Sequence, residues 1–206
     1  MVNERMISSL TAEKLALQRG TRRLFEGLSF SVKAGQALAL EGANGAGKTS
    51  LLRLLAGFLS QAAGRVFLTE DGKEIAEPEE RGQFIGWLGH HDALKASFTV
   101  SEQLEFFGKL YSRDGDRAAL LEQVGLTRQA DLPCRYLSAG QRRRLALARL
   151  LLSQRPLWLL DEPFAALDTA GKSLVARLIA LHCGQGGIVI AATHEPLGLS
   201  NESLKL

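Results

Sequence analysis

The stretch Gly42-Ala43-Asn44-Gly45-Ala46-Gly47-Lys48-Thr49 decides the fold. Its glycines bracket four free residues and lead into Lys and Thr, the spacing of a loop that wraps phosphate. Glycine lets backbone N–H groups close on an anion with no Cβ in the way. A helix starting at the loop aims its positive end at the same anion. Lys48 reaches the β- and γ-phosphates, and the Thr49 hydroxyl is a ligand for Mg²⁺. The flanks agree with this. Gln36-Ala37-Leu38-Ala39-Leu40-Glu41 reads as a buried strand, and the apolar run from Ser50 to a stop at Gly57 reads as a helix.

A phosphate loop of this kind needs a carboxylate partner for the metal. Leu157-Trp158-Leu159-Leu160-Asp161-Glu162 supplies one, an apolar strand ending in two acids. Asp161 is placed to hold Mg²⁺, and Glu162 to take a proton from the attacking water. Alone, the pair reads equally well as an acidic helix cap. A second helix start, Leu137-Ser138-Ala139-Gly140-Gln141, offers Ser138 and Gly140 where N–H groups face an anion. One chain with one loop has no use for a second phosphate site, unless that site serves the nucleotide of another copy. The run Arg142-Arg143-Arg144 that follows reads as a solvated helix face.

The rest of the chain reads as alternating structure. Residues 15–17 and 28–32 alternate as half-buried strands around a basic turn at 19–23. Strands follow at 65–68 and 84–88. From Thr99 the period becomes helical, with Thr99 or Ser101 as cap and further helices at 114–124 and 141–153. A helix at 169–181 leads to a buried strand at 187–192. Continuous apolar strands suit a parallel sheet covered on both faces. The expected fold class is α/β, a single unit over 1–206 with a helical subdomain at about 95–153.

The 206 residues are 46% hydrophobic and carry a formal net charge of +3. That balance suits one well-buried core and is too modest and dispersed for a nucleic-acid footprint. No apolar run approaches the roughly eighteen residues of a membrane span, and the first ten residues do not read as a signal peptide. Cys134 and Cys183 lack metal or haem-attachment spacing, and read as buried thiols.

The loop, 137–141, Leu159-Leu160-Asp161-Glu162-Pro163, Ala166-Leu167-Asp168 and a lone His194 after a buried strand occur in an order that resembles the ATP-binding cassette (ABC) ATPases over essentially the whole chain. The resemblance implies a P-loop NTPase of the ABC ATPase type, with a mixed sheet core, an antiparallel β lobe and a helical subdomain. It implies ATP and Mg²⁺ as ligands and a head-to-tail homodimer. Each ATP would lie between residues 42–50 of one copy, Ser50 included, and Ser138, Gly140 and Gln141 of the other. Glu162 resembles the catalytic carboxylate, Lys48 the phosphate cation, His194 the switch residue at the γ-phosphate, and Asp168 a residue crossing the dimer interface. Two positions depart from the family pattern. His91 stands where a Gln usually senses the metal, and Arg19 where an aromatic usually stacks on adenine.

Smaller words narrow the resemblance. Trp87-Leu88-Gly89-His90, Leu94-Lys95, and the runs at 146–152, 156–164 and 186–197 are similar to the ATP-binding subunits of the bacterial haem exporter of cytochrome c maturation. That family implies a peripheral position on the cytoplasmic face of the inner membrane. It also implies a membrane-embedded B subunit with C and D subunits nearby, and Phe98, Phe106 and Phe107 as candidates to receive a partner's helix. Haem binding by this chain itself is not expected, since no apolar pocket with an axial ligand is written in it. The cassette words alone fit the ATPase of a lipid, drug or peptide transporter equally well. A soluble cassette ATPase acting on DNA or ribosomes fits less, for want of a coiled coil or a second cassette.

Overall fold

A computed structural model describes residues 6–113, 115–199 and 202–206. In chain order the elements are β1 (Ser9–Arg19), β2 (Arg22–Lys33), β3 (Ala37–Glu41), α1 (Lys48–Leu55), β4 (Ala63–Glu70), β5 (Lys73–Ile75), α2 (Pro78–Gly82), β6 (Ile85–Leu88), α3 (Val100–Tyr111), α4 (Arg117–Gln123), α5 (Ala139–Ser153), β7 (Leu157–Asp161), α6 (Thr169–Gly184), β8 (Ile188–Ala192) and β9 (Glu202–Lys205). Short 3₁₀ turns at Thr127–Gln129 and Cys134–Tyr136 lead into α5.

The expected mixture of strand directions is divided between two sheets. The core sheet runs β6-β7-β8-β3-β9 and is parallel throughout; the second runs β2-β1-β4-β5 and is antiparallel. Side chains of the core strands alternate between two hydrophobic clusters. Leu38, Leu40, Leu157, Leu159, Ile188 and Ile190 face α1 and the antiparallel sheet. Ala37, Ala39, Trp158, Leu160, Val189 and Ala191 face α5 and α6. Burial on both faces is why these strands are unbroken apolar runs. Truncating one of them, as in Leu159→Ala, would cost about 2–5 kcal/mol.

The helices between β6 and β7 share that second cluster with the sheet. Val100 and Leu104 of α3 and Leu121 of α4 are buried with Leu145, Leu147 and Leu150 of α5. Thr99 caps α3 in a reciprocal box with Glu102, which settles the choice between Thr99 and Ser101. The fourth helix begins later than its pattern suggests, because Asp116 caps it by accepting from the Ala119 N–H; Asp114 lies outside the described residues. Both cysteines are buried and free. Among the described residues no helix is long and apolar enough to cross a membrane.

Candidate nucleotide site

The phosphate loop joins the tip of β3 to α1, and its shape comes from glycine. Gly42, Gly45 and Gly47 have φ of 144°, 82° and 112°, a region that disfavours a side chain. A Cβ on Gly42 would also lie 2.9 Å from the Leu206 carbonyl oxygen, beside β9. Lys48 is 7% exposed. Its ammonium donates to the carbonyl oxygens of Gly42 at 2.6 Å and Ala43 at 3.3 Å, folded back over its own loop. The Ala46 N–H donates to the Ala43 carbonyl at 3.1 Å, and Arg22 reaches the Gly45 carbonyl at 3.4 Å.

Strand β7 lies next but one to β3 in the core sheet and delivers the carboxylates. The Thr49 hydroxyl donates to both oxygens of Asp161, at 2.9 and 3.1 Å. Asp161 is 3% exposed. A hydroxyl and a carboxylate in contact form the hard oxygen pair that suits Mg²⁺, so the residues present fit that ion. Glu162 follows with φ of 49°, a left-handed conformation that costs a non-glycine residue about 1–2 kcal/mol. Its N–H donates to the Ala192 carbonyl at 2.9 Å, and its own carbonyl accepts from Arg143 at 2.6 Å. The backbone is thereby held so that the side chain leaves the strand toward the loop.

These groups share a cleft of about 750 Å³. Of the residues singled out in the sequence, Arg19, Ala43, Asn44, Gly45, Gly47, Lys48, Thr49, Ser50, His91, Asp161 and Glu162 line it. Gly42 and Ala46 are not among the lining residues and sit in the loop behind it. The cleft also takes in Arg22, Arg53, Trp87, Gly89 and His90, which sequence reasoning missed. His90 and His91 meet edge to face, with ring centroids 5.4 Å apart.

The structure does not bring every expected residue to this cleft. His194 is exposed in the turn after β8, two residues beyond Ala192, which pairs with Asp161. It is not among the lining residues. Ser138, Gly140 and Gln141 line a separate depression with Arg144, Ala166 and Asp168. There Ser138 and Gln141 form a capping box. The Gln141 N–H donates to the Ser138 hydroxyl at 3.2 Å, and the Ser138 N–H donates to the Gln141 side-chain oxygen at 2.8 Å. A Cβ on Gly140 would lie 3.0 Å from the Ala166 carbonyl oxygen. Asp168 caps α6, accepting from the Gly171 N–H at 2.8 Å and from Arg144 at 3.0 Å. The Gly171 bond first, and Arg144 after it, hold its carboxyl below the usual range.

The reading of Arg142-Arg143-Arg144 as a solvated face needs correction. Arg143 is 3% exposed, Arg142 donates to the Leu137 carbonyl at 2.6 Å, and Arg144 binds Asp168. The signal was in the sequence. Apart from Arg149 the run from Leu145 to Leu152 is apolar, and residues 145–150 are buried without a break, so this stretch of α5 has no solvated side and its neighbouring arginines cannot all face water. The aromatics at 98–111 form a cluster. Phe98 meets Phe106 at 6.1 Å and Phe106 meets Phe107 at 5.3 Å, with Lys95 over the first two rings. Phe107 packs against the core, whereas Phe106 is exposed.

A phosphate loop, a strand ending in paired carboxylates and a separate capped segment on one chain define an ATP-binding cassette ATPase, and the profile of the family described as ABC transporter matches residues 25–165. Within that class the chain belongs to the CcmA family of ABC ATP-binding subunits. It is 50% identical over 198 residues to the cytochrome c biogenesis ATP-binding export protein CcmA of Rhodopseudomonas palustris (strain BisB5), spanning 96% of this chain and 97% of the relative. The protein of the same name from Nitrobacter hamburgensis is 47% identical over 202 residues, with 96% and 97% covered. Among solved structures, a putative ABC transporter ATP-binding protein from Pyrococcus furiosus has the same fold. Its TM-score is 0.82 at 23% identity, over 97% of this chain and 98% of that one. The cbiO1 protein of Clostridium perfringens, part of the ABC transporter complex cbiONQ, matches with a TM-score of 0.75 at 26% identity, over 92% and 79%. The chain is accordingly an ATPase subunit of ABC type.

Proposed function

We propose that the chain hydrolyses Mg²⁺-ATP for an inner-membrane export complex of cytochrome c biogenesis, as a peripheral subunit on the cytoplasmic face. The observation that carries the chemistry is the contact of Thr49 with Asp161 beside the Lys48 loop, with Glu162 next in the chain. Likeness to CcmA proteins along nearly the whole chain carries the biological role.

In this reading residues 1–206 act as one cassette with its helical part at about 95–153. Amides of 42–47 bind the phosphates, Lys48 turns its ammonium onto them, and Arg19 covers the base with its guanidinium plane. Thr49 and Asp161 would hold Mg²⁺, which supplies charge neutralisation at the β- and γ-phosphates; His91 faces the same space. Glu162 accepts a proton from water as the water oxygen bonds to the γ-phosphorus. The bond to the bridging oxygen breaks, leaving ADP and phosphate. A second copy contributes its Ser138, Gly140 and Gln141, and His194 moves in to the γ-phosphate. Loss of phosphate removes those contacts and reopens the pair. The complex supplies a membrane-embedded B subunit, received near Phe98 and Phe106, with C and D subunits beside it. Its work is haem export or release of a haem-loaded periplasmic chaperone.

The test is covalent haem on periplasmic c-type cytochromes in a strain lacking the gene. Attachment should be lost, restored by the wild type, and not restored by Lys48→Ala. Normal attachment without the gene would assign the ATPase to a different transporter.

A further inference from the structure

Helix α5 starts at the Ser138 cap and sends its fifth residue, Arg143, inward. One guanidinium nitrogen donates to the carbonyl oxygens of Asp161 at 2.7 Å and Glu162 at 2.6 Å. The other donates to the Gly89 carbonyl at 2.7 Å and the Asp92 carboxylate at 3.2 Å. Three segments distant in sequence therefore meet on one side chain: the helix behind the Ser138–Gln141 box, the carboxylate tip of β7, and the loop carrying His90 and His91. A guanidinium is suited to this because its fork of donors is planar and rigid. An ammonium has no such fork, and an amide offers donors from a single nitrogen.

Glu162 shows what the contact does. Its left-handed backbone is pinned on one side by Ala192 and on the other by Arg143. We infer that Arg143 is a positioning residue that ties the aim of the Glu162 carboxylate to the attitude of α5. Movement of the 138–141 segment toward another copy's nucleotide thus adjusts the base at this copy's own. This rests on the reading of Glu162 as the base. Burial lowers the affinity of Arg143 for its proton and the Asp92 carboxylate opposes that; a guanidinium keeps its charge in proteins. Arg149 provides an internal contrast. It lies on the same helix, is comparably buried, and holds the end of β6 through the Trp87 carbonyl at 3.2 Å and the same loop through the Asp92 carbonyl at 3.0 Å. No bond runs from it to Asp161 or Glu162.

The experiment compares wild type, Arg143→Gln, Arg143→Lys, Arg149→Gln, Glu162→Gln, and Glu162→Asp with and without Arg143→Gln, in the complex with the membrane partner. It reads kcat, KM, equilibrium binding of a fluorescent ATP analogue, and melting temperature. Arg143→Gln should lower kcat roughly 10- to 100-fold with analogue binding and KM nearly unchanged. Arg143→Lys, which keeps the buried charge, should fold normally and recover only part of kcat. Arg149→Gln should lose melting temperature while retaining most of its turnover per folded molecule. In a Glu162→Asp background, where the carboxylate is already withdrawn, Arg143→Gln should cost little more. Wild-type kcat in Arg143→Lys would overturn the inference even if Arg143→Gln does not fold. Equal loss of turnover in the Arg143 and Arg149 variants, in step with folded fraction, would also overturn it. Normal turnover by Glu162→Gln would sink the reading of the base itself, a failure separate from normal turnover by the Arg143 variants beside an inactive Glu162→Gln.

Discussion

The cleft at the Lys48 loop and the depression at Ser138–Gln141, the two regions proposed to meet phosphate, differ in how their polar groups are satisfied. In the cleft, Lys48 spends its ammonium on the carbonyls of its own loop, and Thr49 gives its proton to Asp161. Both arrangements are exchangeable, because a phosphate or a metal would offer each group a stronger charged partner. In the second region Ser138 and Gln141 serve each other and Asp168 serves Gly171 and Arg144. That region is complete as a helix cap and has no phosphate loop or strand-end carboxylate of its own. On the proposed reading the first region is a complete phosphate and metal site, and the second is half of a site that another copy's nucleotide would complete. The contrast explains why one short chain carries both.

The largest effect should come from removing the cation of the cleft. Lys48→Ala is expected to lower ATP turnover by at least about 100-fold, read as phosphate release with the membrane partner present. Near-normal release would mean that the cleft is not the working site. Ser138→Arg should sharpen the contrast from the other side. It fills the depression at 138–141 and leaves the cleft of its own chain intact. Nucleotide binding by the isolated chain should persist while turnover by the assembled complex falls about as far. Loss of binding by the isolated chain would show that the two regions work on one nucleotide within a single copy.

A smaller effect lies at the opposite ends of the strands, where His182 stacks on Trp158 with ring centroids 3.9 Å apart and bonds the Pro156 carbonyl at 3.1 Å. Burial pushes its pKa down from 6.5 to about 4. Between those values the unfolded chain binds the extra proton and the folded chain does not. Its stabilisation is therefore complete above pH 6.5 and is lost as pH falls toward 4. Melting temperature should decline over that window, and His182→Phe should flatten the decline while keeping the ring stack. An unchanged slope would remove His182 as the cause. Turnover measured in acid must be set against this background before any loss is assigned to the cleft.

What was legible in the sequence was local. The loop, the strand ending in Asp161 and Glu162, and the cap at Ser138 each fit within a few residues, so spacing reveals them; for α3 it narrowed the cap to Thr99 or Ser101, and the Glu102 contact decided. Contacts across long separations were not. The acceptors of Arg143 lie between 18 and 54 residues away, and nothing within α5 shows that the arginine turns inward except the apolar run beside it. In β1 the alternation lies at 9–13, where Leu10 and Ala12 are buried between part-exposed neighbours, and the alternation expected at 15–17 fails because Leu15, Ala16 and Leu17 are all buried; the strand shifts register between Ala12 and Leu15, and Lys14 has φ of 46°. Strand β9 is short and largely exposed, and becomes a strand by pairing with β3, a tertiary event with little local signal. His194 is the opposite case. Its place after a buried strand was legible, while the structure leaves it exposed and outside the cleft lining.

The central claim is that two copies complete one site around ATP, and the mass of Glu162→Gln in solution tests it most directly. By light scattering with Mg²⁺-ATP, that variant should double in mass, because it binds nucleotide and cannot discharge it. Adding Ser138→Arg to the same chain should return it to a single copy. A single-copy mass at saturating ATP, with binding intact and the membrane partner unable to change it, would contradict the account.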